Sequence, residues 1–166
     1  MTQVISFVGR SNVGKTTHLE KVIAEIKRRG YKLATIKHDV HGFDIDIPGK
    51  DTWRHGQAGA DSVVISSPNK IAIIEKVSEE KNLDEIAQKL QNVDIIITEG
   101  YKRGNKPKVE IVRRERSAQP ICEPRELFAL VTDCDINMDV PKFGFHQVAE
   151  LVDLIEEKFI KKQDFV

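Results

Sequence analysis

Cysteine is scarce in this 166-residue sequence: only Cys122 and Cys134 occur, and neither has a near neighbour of its kind. A disulfide framework needs more of them and a zinc knuckle needs a C-x-x-C pair, so two reduced thiols are expected. Net charge is missing too, because 26 Lys plus Arg balance 26 Asp plus Glu. A protein that grips nucleic acid with its whole surface is strongly basic, so nucleic acid is not an expected partner. Apolar runs such as Ile95–Ile97 fall far short of the roughly 20 residues that a membrane-spanning helix requires. The first residues lack the basic-then-apolar pattern of a secretory signal, so a cytoplasmic location away from membranes is expected. No internal repeat, low-complexity tract or interdomain linker is visible. With 40% hydrophobic residues the chain can build a real core, and its length suits one domain over 1–166.

What is present alternates strand and helix. Val4–Val8 is an apolar run that ends at Gly9, as a buried strand feeding a turn does. Leu19, Val22, Ile23 and Ile26 follow at helical spacing, and the basic Arg28-Arg29 with Gly30 closes that helix. Leu33–Ile36 predicts the next strand. Residues 38–60 hold four glycines and show little periodicity, which predicts a long functional loop. Ser62–Ile65 and Ile71–Ile74 predict a hairpin, and Asn82 with Glu85 predicts a capped helix start. Val93–Thr98, Val109–Val112 and Phe128–Thr132 predict three further strands, and Val148, Leu151, Val152, Ile155 and Phe159 mark a last helix. Strands interleaved with amphipathic helices predict an α/β fold: a mostly parallel sheet covered by helices, with the hairpin as an insertion.

Gly9-Arg10-Ser11-Asn12-Val13-Gly14-Lys15-Thr16 fits G-x-x-x-x-G-K-[ST] at every fixed position, and Thr17 follows. Glycines let successive N–H groups converge on an anion, and the following helix points its positive end there. Lys15 is expected to reach the β- and γ-phosphates and Thr16 to hold Mg2+. The apolar strand before the turn and the amphipathic helix after it are the context that this P-loop motif requires. A bound triphosphate needs metal, and ligands in open α/β sheets sit at the carboxyl ends of the strands. Glu99 emerges there after Ile95–Thr98, as a magnesium-binding acid does, and Asp39 emerges at the matching end of the second strand. Asp94 starts its strand at the far edge and is rejected.

These residues, together with Lys37-His38-Asp39, Asp46–Arg54, Gly59-Ala60 and Thr98–Lys102, resemble the MobB family of molybdopterin-guanine dinucleotide biosynthesis adaptor proteins. The resemblance runs from about Val4 to Thr132. It implies a P-loop GTPase fold, GTP with Mg2+ as ligands, weak hydrolysis at most and a homodimer. It also implies a role assisting the guanylyltransferase that attaches GMP to molybdopterin. Many of the wider group carry a lysine early in the phosphate turn that reaches across a dimer. Here that position is Arg10, followed by Ser11, so catalysis completed across a dimer does not carry over.

The segment Lys37–Arg54 mixes Lys37, His38, His41, Lys50 and Arg54 with Asp39, Asp44, Asp46 and Asp51, a composition suited to a polyanion and a divalent ion. The resemblance makes it a contact surface for the pterin phosphate or the γ-phosphate. Trp53 is expected in the core. His38-x-x-His41 raises the alternative of a metallochaperone GTPase with bound zinc or nickel. A small-molecule kinase or ligase on the same fold is the other alternative. Lys102 and Arg103, in the basic loop after Glu99, are candidates to meet substrate or partner. Guanine recognition calls for a carboxylate facing N1–H and the exocyclic amine, and Asp133 or Asp135, just after Phe128–Thr132, supplies one. The preference for GTP over ATP comes from the resemblance alone.

Overall fold

The structure, a computed structural model, describes residues 2–161. In chain order the elements are β1 (Gln3–Val8), α1 (Lys15–Arg28), β2 (Leu33–Lys37), α2 (Asp51–Gln57), β3 (Ser62–Ser67), β4 (Lys70–Glu75), α3 (Leu83–Gln88), β5 (Ile95–Glu99), β6 (Lys108–Val112), β7 (Leu127–Thr132), β8 (Lys142–Phe143) and α4 (Val148–Ile155). A π-helical stretch, Glu156–Ile160, continues α4. The described chain forms two compact units, one of residues 2–38 with 87–161 and one of Asp39–Ile86.

The larger unit is a six-stranded sheet in the order β2-β5-β1-β6-β7-β8, with every neighbouring pair parallel. This is the parallel α/β arrangement expected from the alternation of strands and helices. Alternate residues of the strands face opposite sides. Ile5, Phe7, Ile95, Ile97, Val109, Ile111, Ala129 and Val131 are buried in one cluster with Leu19, Val22 and Ile26 of α1 and Leu151, Val152 and Ile155 of α4. Each such buried Ile or Leu contributes roughly 1.5–3 kcal/mol of transfer free energy, so this face anchors the strands. The other face is partly polar. Thr98 Oγ1 donates to Ser6 Oγ at 2.8 Å, and buried Glu110 accepts the N–H groups of Ile121 and Cys122 at 2.7 and 3.0 Å. Cys122 is therefore a buried thiol, pushed up to about 12 by burial and by Glu110, and no nucleophile at neutral pH.

One consequence of the strand order positions the site. β1 lies between β5 and β6, with Phe7 opposite Glu99, so the turn after β1 and the acid ending β5 leave the sheet side by side. His38 N donates to Glu99 O at 3.0 Å and Gly100 N to Phe7 O at 3.1 Å, which ties the ends of β2, β5 and β1 together.

Within the Asp39–Ile86 unit, β3 and β4 form the expected antiparallel hairpin, from Ser62 opposite Glu75 to Ser67 opposite Lys70. Asn82 and Glu85 exchange side-chain-to-backbone hydrogen bonds at 2.9 and 3.0 Å, a capping box at the start of α3. The 38–60 segment differs from expectation, since Asp51–Gln57 is helical. Asp51 complements the dipole at its start, and the seven residues bury no side chain, so no apolar stripe announces the helix. Trp53, on that helix, is half-buried rather than a core residue. β8, at two residues, is too short to carry an alternating pattern.

Candidate functional site

The turn between β1 and α1 is shaped by three residues at positive φ: Gly9 (147°), Asn12 (60°) and Gly14 (85°). At Gly9 a side chain has no room, because a Cβ there would lie 2.6 Å from the carbonyl oxygen of Ile111 on β6. Val13 is buried in the main core and pins the middle of the loop, while Arg10, Ser11 and Asn12 are exposed. Lys15 Nζ donates to Arg10 O at 2.8 Å, arching over the loop it closes. Gly14 caps α1 in the left-handed conformation without a side-chain bond, and no acid occupies the first turn. The leading amides of α1 therefore have no side-chain acceptor of their own, as a helix end that receives an anion requires. Thr16 and Thr17 are exposed in that first turn.

Thr16 Oγ1 donates to Glu99 Oε1 at 2.8 Å. Two hard oxygen donors thus stand together beside the turn, a set that fits Mg2+, which takes one or two protein oxygens and keeps water or phosphate for the rest. Among the described residues, no group of three or more His, Cys, Asp or Glu side chains is gathered to hold a metal ion. Lys15 is pushed below the ordinary lysine range, first by burial and then by the charges of Lys102 and Lys37, with Glu99 opposing. Three ammonium groups around one carboxylate leave a positive excess that an anion relieves. Beyond Thr16 lies a cleft of about 230 Å³, with Leu19, Ile23 and Ile36 as its apolar lining and Lys37 and Glu99 among its polar residues. At the same edge His38 stacks on Tyr101, with ring centroids 4.4 Å apart and planes 18° apart.

Gly9 to Thr17 and Glu99 are thus brought together. Asp39 falls in the other unit, where its Oδ1 accepts the N–H of His41 at 3.0 Å. Asp94, at the opposite edge, pairs with Lys32 through Oδ2, 2.6 Å from that residue's N–H. At the end of β7, Asp133 Oδ1 accepts the N–H of Arg114 at 2.8 Å, and that bond holds the carboxyl below the usual range. Asp135 is exposed two residues on. Sequence reasoning missed Arg113 and Phe145. The Arg113 guanidinium carbon lies 4.4 Å from the centroid of the Phe145 ring, and its Nη2 would be 3.4 Å from a Cβ placed on Gly14. The signal was its place directly after an apolar strand at the phosphate edge. His18, 3% exposed and edge-on to the same ring, is pushed down to about 4, chiefly by burial.

Among the described residues, no helix is long and apolar enough to cross a membrane. The family model described as molybdopterin guanine dinucleotide synthesis protein B matches residues 4–133. The molybdopterin-guanine dinucleotide biosynthesis adapter protein of Escherichia coli (strain K12) is 30% identical over 170 residues, covering 99% of this chain and 97% of the relative. Its namesake from Haemophilus influenzae is 30% identical over 156 residues, covering 92% and 87%. A crystal structure of molybdopterin-guanine biosynthesis protein B superposes with a TM-score of 0.73 at 29% identity, covering 93% of this chain and 97% of that one. The family match spans most of the chain and the relatives align almost end to end, and on both grounds the chain belongs to the MobB family.

Proposed function

We propose that this protein binds GTP with Mg2+ and serves as an adapter in molybdenum cofactor biosynthesis, assisting the guanylyltransferase that makes molybdopterin guanine dinucleotide. The adapter role is that of its relatives by name. The observation that carries the nucleotide reading is the turn itself: positive-φ residues curl the main chain, and Lys15 and Thr16 stand at its end. The amides of residues 9–17 cradle the phosphates, Lys15 neutralises the β- and γ-phosphates, and Thr16 and Glu99 would hold Mg2+. When bound, the ion supplies charge to the same phosphates. Asp133 and Asp135 are the two acids at the base edge, and one of them accepts from guanine. Hydrolysis is slow, since among the described residues no side chain of the phosphate site is set to orient an attacking water. The protein works in the cytoplasm as a homodimer, and the exposed Val64, Ile71 and Ile73 on one face of the β3–β4 hairpin support self-association.

Calorimetric titration with GTP, ATP and their diphosphates, with and without Mg2+, tests the reading. Tight, Mg2+-dependent GTP binding is expected. Lys15→Ala is expected to weaken triphosphate binding by roughly 1.5–3 kcal/mol or more, the scale of a charge-assisted contact. Unchanged affinity in that variant overturns the assignment.

A further inference from the structure

Arg113 has no role in the nucleotide reading so far, yet the sheet places it inside the nucleotide's path. It directly follows β6, and β6 lies between β1 and β7. The phosphate turn leaves β1 and Asp133 leaves β7 at the same edge. Neighbouring strands are about 4.8 Å apart, so a nucleotide that spans from turn to Asp133 crosses the end of β6. The part that crosses there joins the phosphate chain to the base, and it carries the α-phosphate.

One donor of the guanidinium has no acceptor within the described residues. Arg113 Nε is buried without a hydrogen-bond partner among the described residues. An orphaned buried donor costs roughly 1–3 kcal/mol, a penalty that a ligand acceptor removes. The acid nearby, Asp133, feels the charge of Arg113 and accepts the N–H of Arg114 through Oδ1, yet Arg113 Nε finds no acceptor among the described residues. The Phe145 ring packs against the guanidinium, its centroid 4.4 Å from Cζ. A side chain at residue 14 would crowd the guanidinium, and glycine stands there, with Nη2 3.4 Å from the missing Cβ. A planar fork beside a phosphate turn suits oxyanion recognition better than a flexible ammonium does.

We propose that Arg113 is a nucleotide-binding residue that donates to the α-phosphate from the β6 side of the turn. This rests on the nucleotide reading above. It makes a prediction that Lys15 does not share. Lys15 acts at the β- and γ-phosphates, so its loss falls more heavily on GTP than on GDP. Arg113 acts at a phosphate common to both, so its loss falls on both equally.

The test is calorimetric titration of the wild-type protein, Arg113→Met and Arg113→Lys with GTP and with GDP in Mg2+, well below each variant's melting temperature. Arg113→Met is expected to weaken both nucleotides by the same factor, roughly ten- to hundredfold. Arg113→Lys, which keeps charge but not the fork, is expected to fall between, and it gives the readout if the Met variant does not fold. A purely structural arginine would lower the melting temperature and leave both affinities unchanged, and that result overturns the proposal. A loss confined to GTP overturns it as well, by moving the contact to the γ-phosphate. Failure of the wild-type protein to bind either nucleotide sinks the nucleotide reading itself, and Arg113 with it.

Discussion

Replacing Gly9 by Ala tests whether the phosphate turn is shaped by its contact with β6. Two separate costs arise. The backbone stands at φ 147°, where L side chains rarely go, and holding Ala there costs about 1–3 kcal/mol. The new Cβ would also stand 2.6 Å from the main-chain oxygen of Ile111, closer than real Cβ atoms come. Main chain in the middle of a sheet cannot swing aside as a side chain can, and such overpacking costs about 1–3 kcal/mol more. Together the loss is roughly 2–6 kcal/mol, a large share of the 5–15 kcal/mol typical of a domain. Gly30→Ala is the control. That glycine has φ 91° with nothing within 4 Å, so it carries only the backbone penalty, about 1 kcal/mol. Urea denaturation of the two variants, compared at unchanged slope, reads the clash together with the difference between the two backbone penalties. Equal destabilisation of the two variants, within about 0.5 kcal/mol, would refute the claim that β6 shapes the turn.

Glu99→Gln keeps an oxygen for Thr16 but removes a carboxylate charge that acts on Lys15; calorimetry at fixed GTP is expected to show Mg2+ dependence lost while Mg2+-free binding holds or strengthens. Asp133→Asn and Asp135→Asn divide the two candidate base readers: the true reader, once changed, is expected to favour xanthosine triphosphate over GTP in competition, and no switch in either removes both. Glu25 and Glu156 are each held at about 2, Glu25 by Arg28 and Arg29 and Glu156 by Lys161, Arg29 and Tyr31. Depressed carboxyls stabilise the fold above their unfolded value and lose that contribution as pH falls from about 4.5 towards 2. Arg29→Met is therefore expected to flatten the acid limb of a melting-temperature profile, and an unchanged limb would place acid sensitivity elsewhere. Ile73→Lys, on the exposed hairpin, is expected to shift the protein to monomer in sedimentation without altering its circular dichroism; a persisting dimer would assign self-association to another surface.

The strands and the phosphate turn were legible because their signals are local. Val4–Val8 and Ile95–Thr98 are apolar runs that stop at residues with an evident purpose, and the turn motif is contiguous. The place of Glu99 beside Thr16 was legible for the same reason, as the acid that ends a buried strand. That Asp39 begins a separate unit was not legible, because nothing in its neighbours' types marks the boundary. α2 escaped notice since a seven-residue helix without an apolar face has no period to detect. Trp53 was misjudged for a related reason: a large apolar side chain needs a second layer to bury it, and no side chain of that helix is buried. Arg113 was hidden among Arg113, Arg114 and Arg116, where type alone does not separate a guanidinium set under the turn from those reaching solvent. Only the strand order, with β6 beside β1, distinguishes it.

β2 and β5 are sheet neighbours, yet residues 38–94 separate them in the chain. Those residues are therefore the crossover that parallel pairing demands, and the long way round costs little, because each doubling of a closed loop adds only about 0.6 kcal/mol of entropy. Lengthening, trimming or rebuilding the excursion should barely change the free energy of assembling the strands on either side. Such a chain can vary what it presents to other molecules while the phosphate-turn motif at the sheet's edge stays as it is.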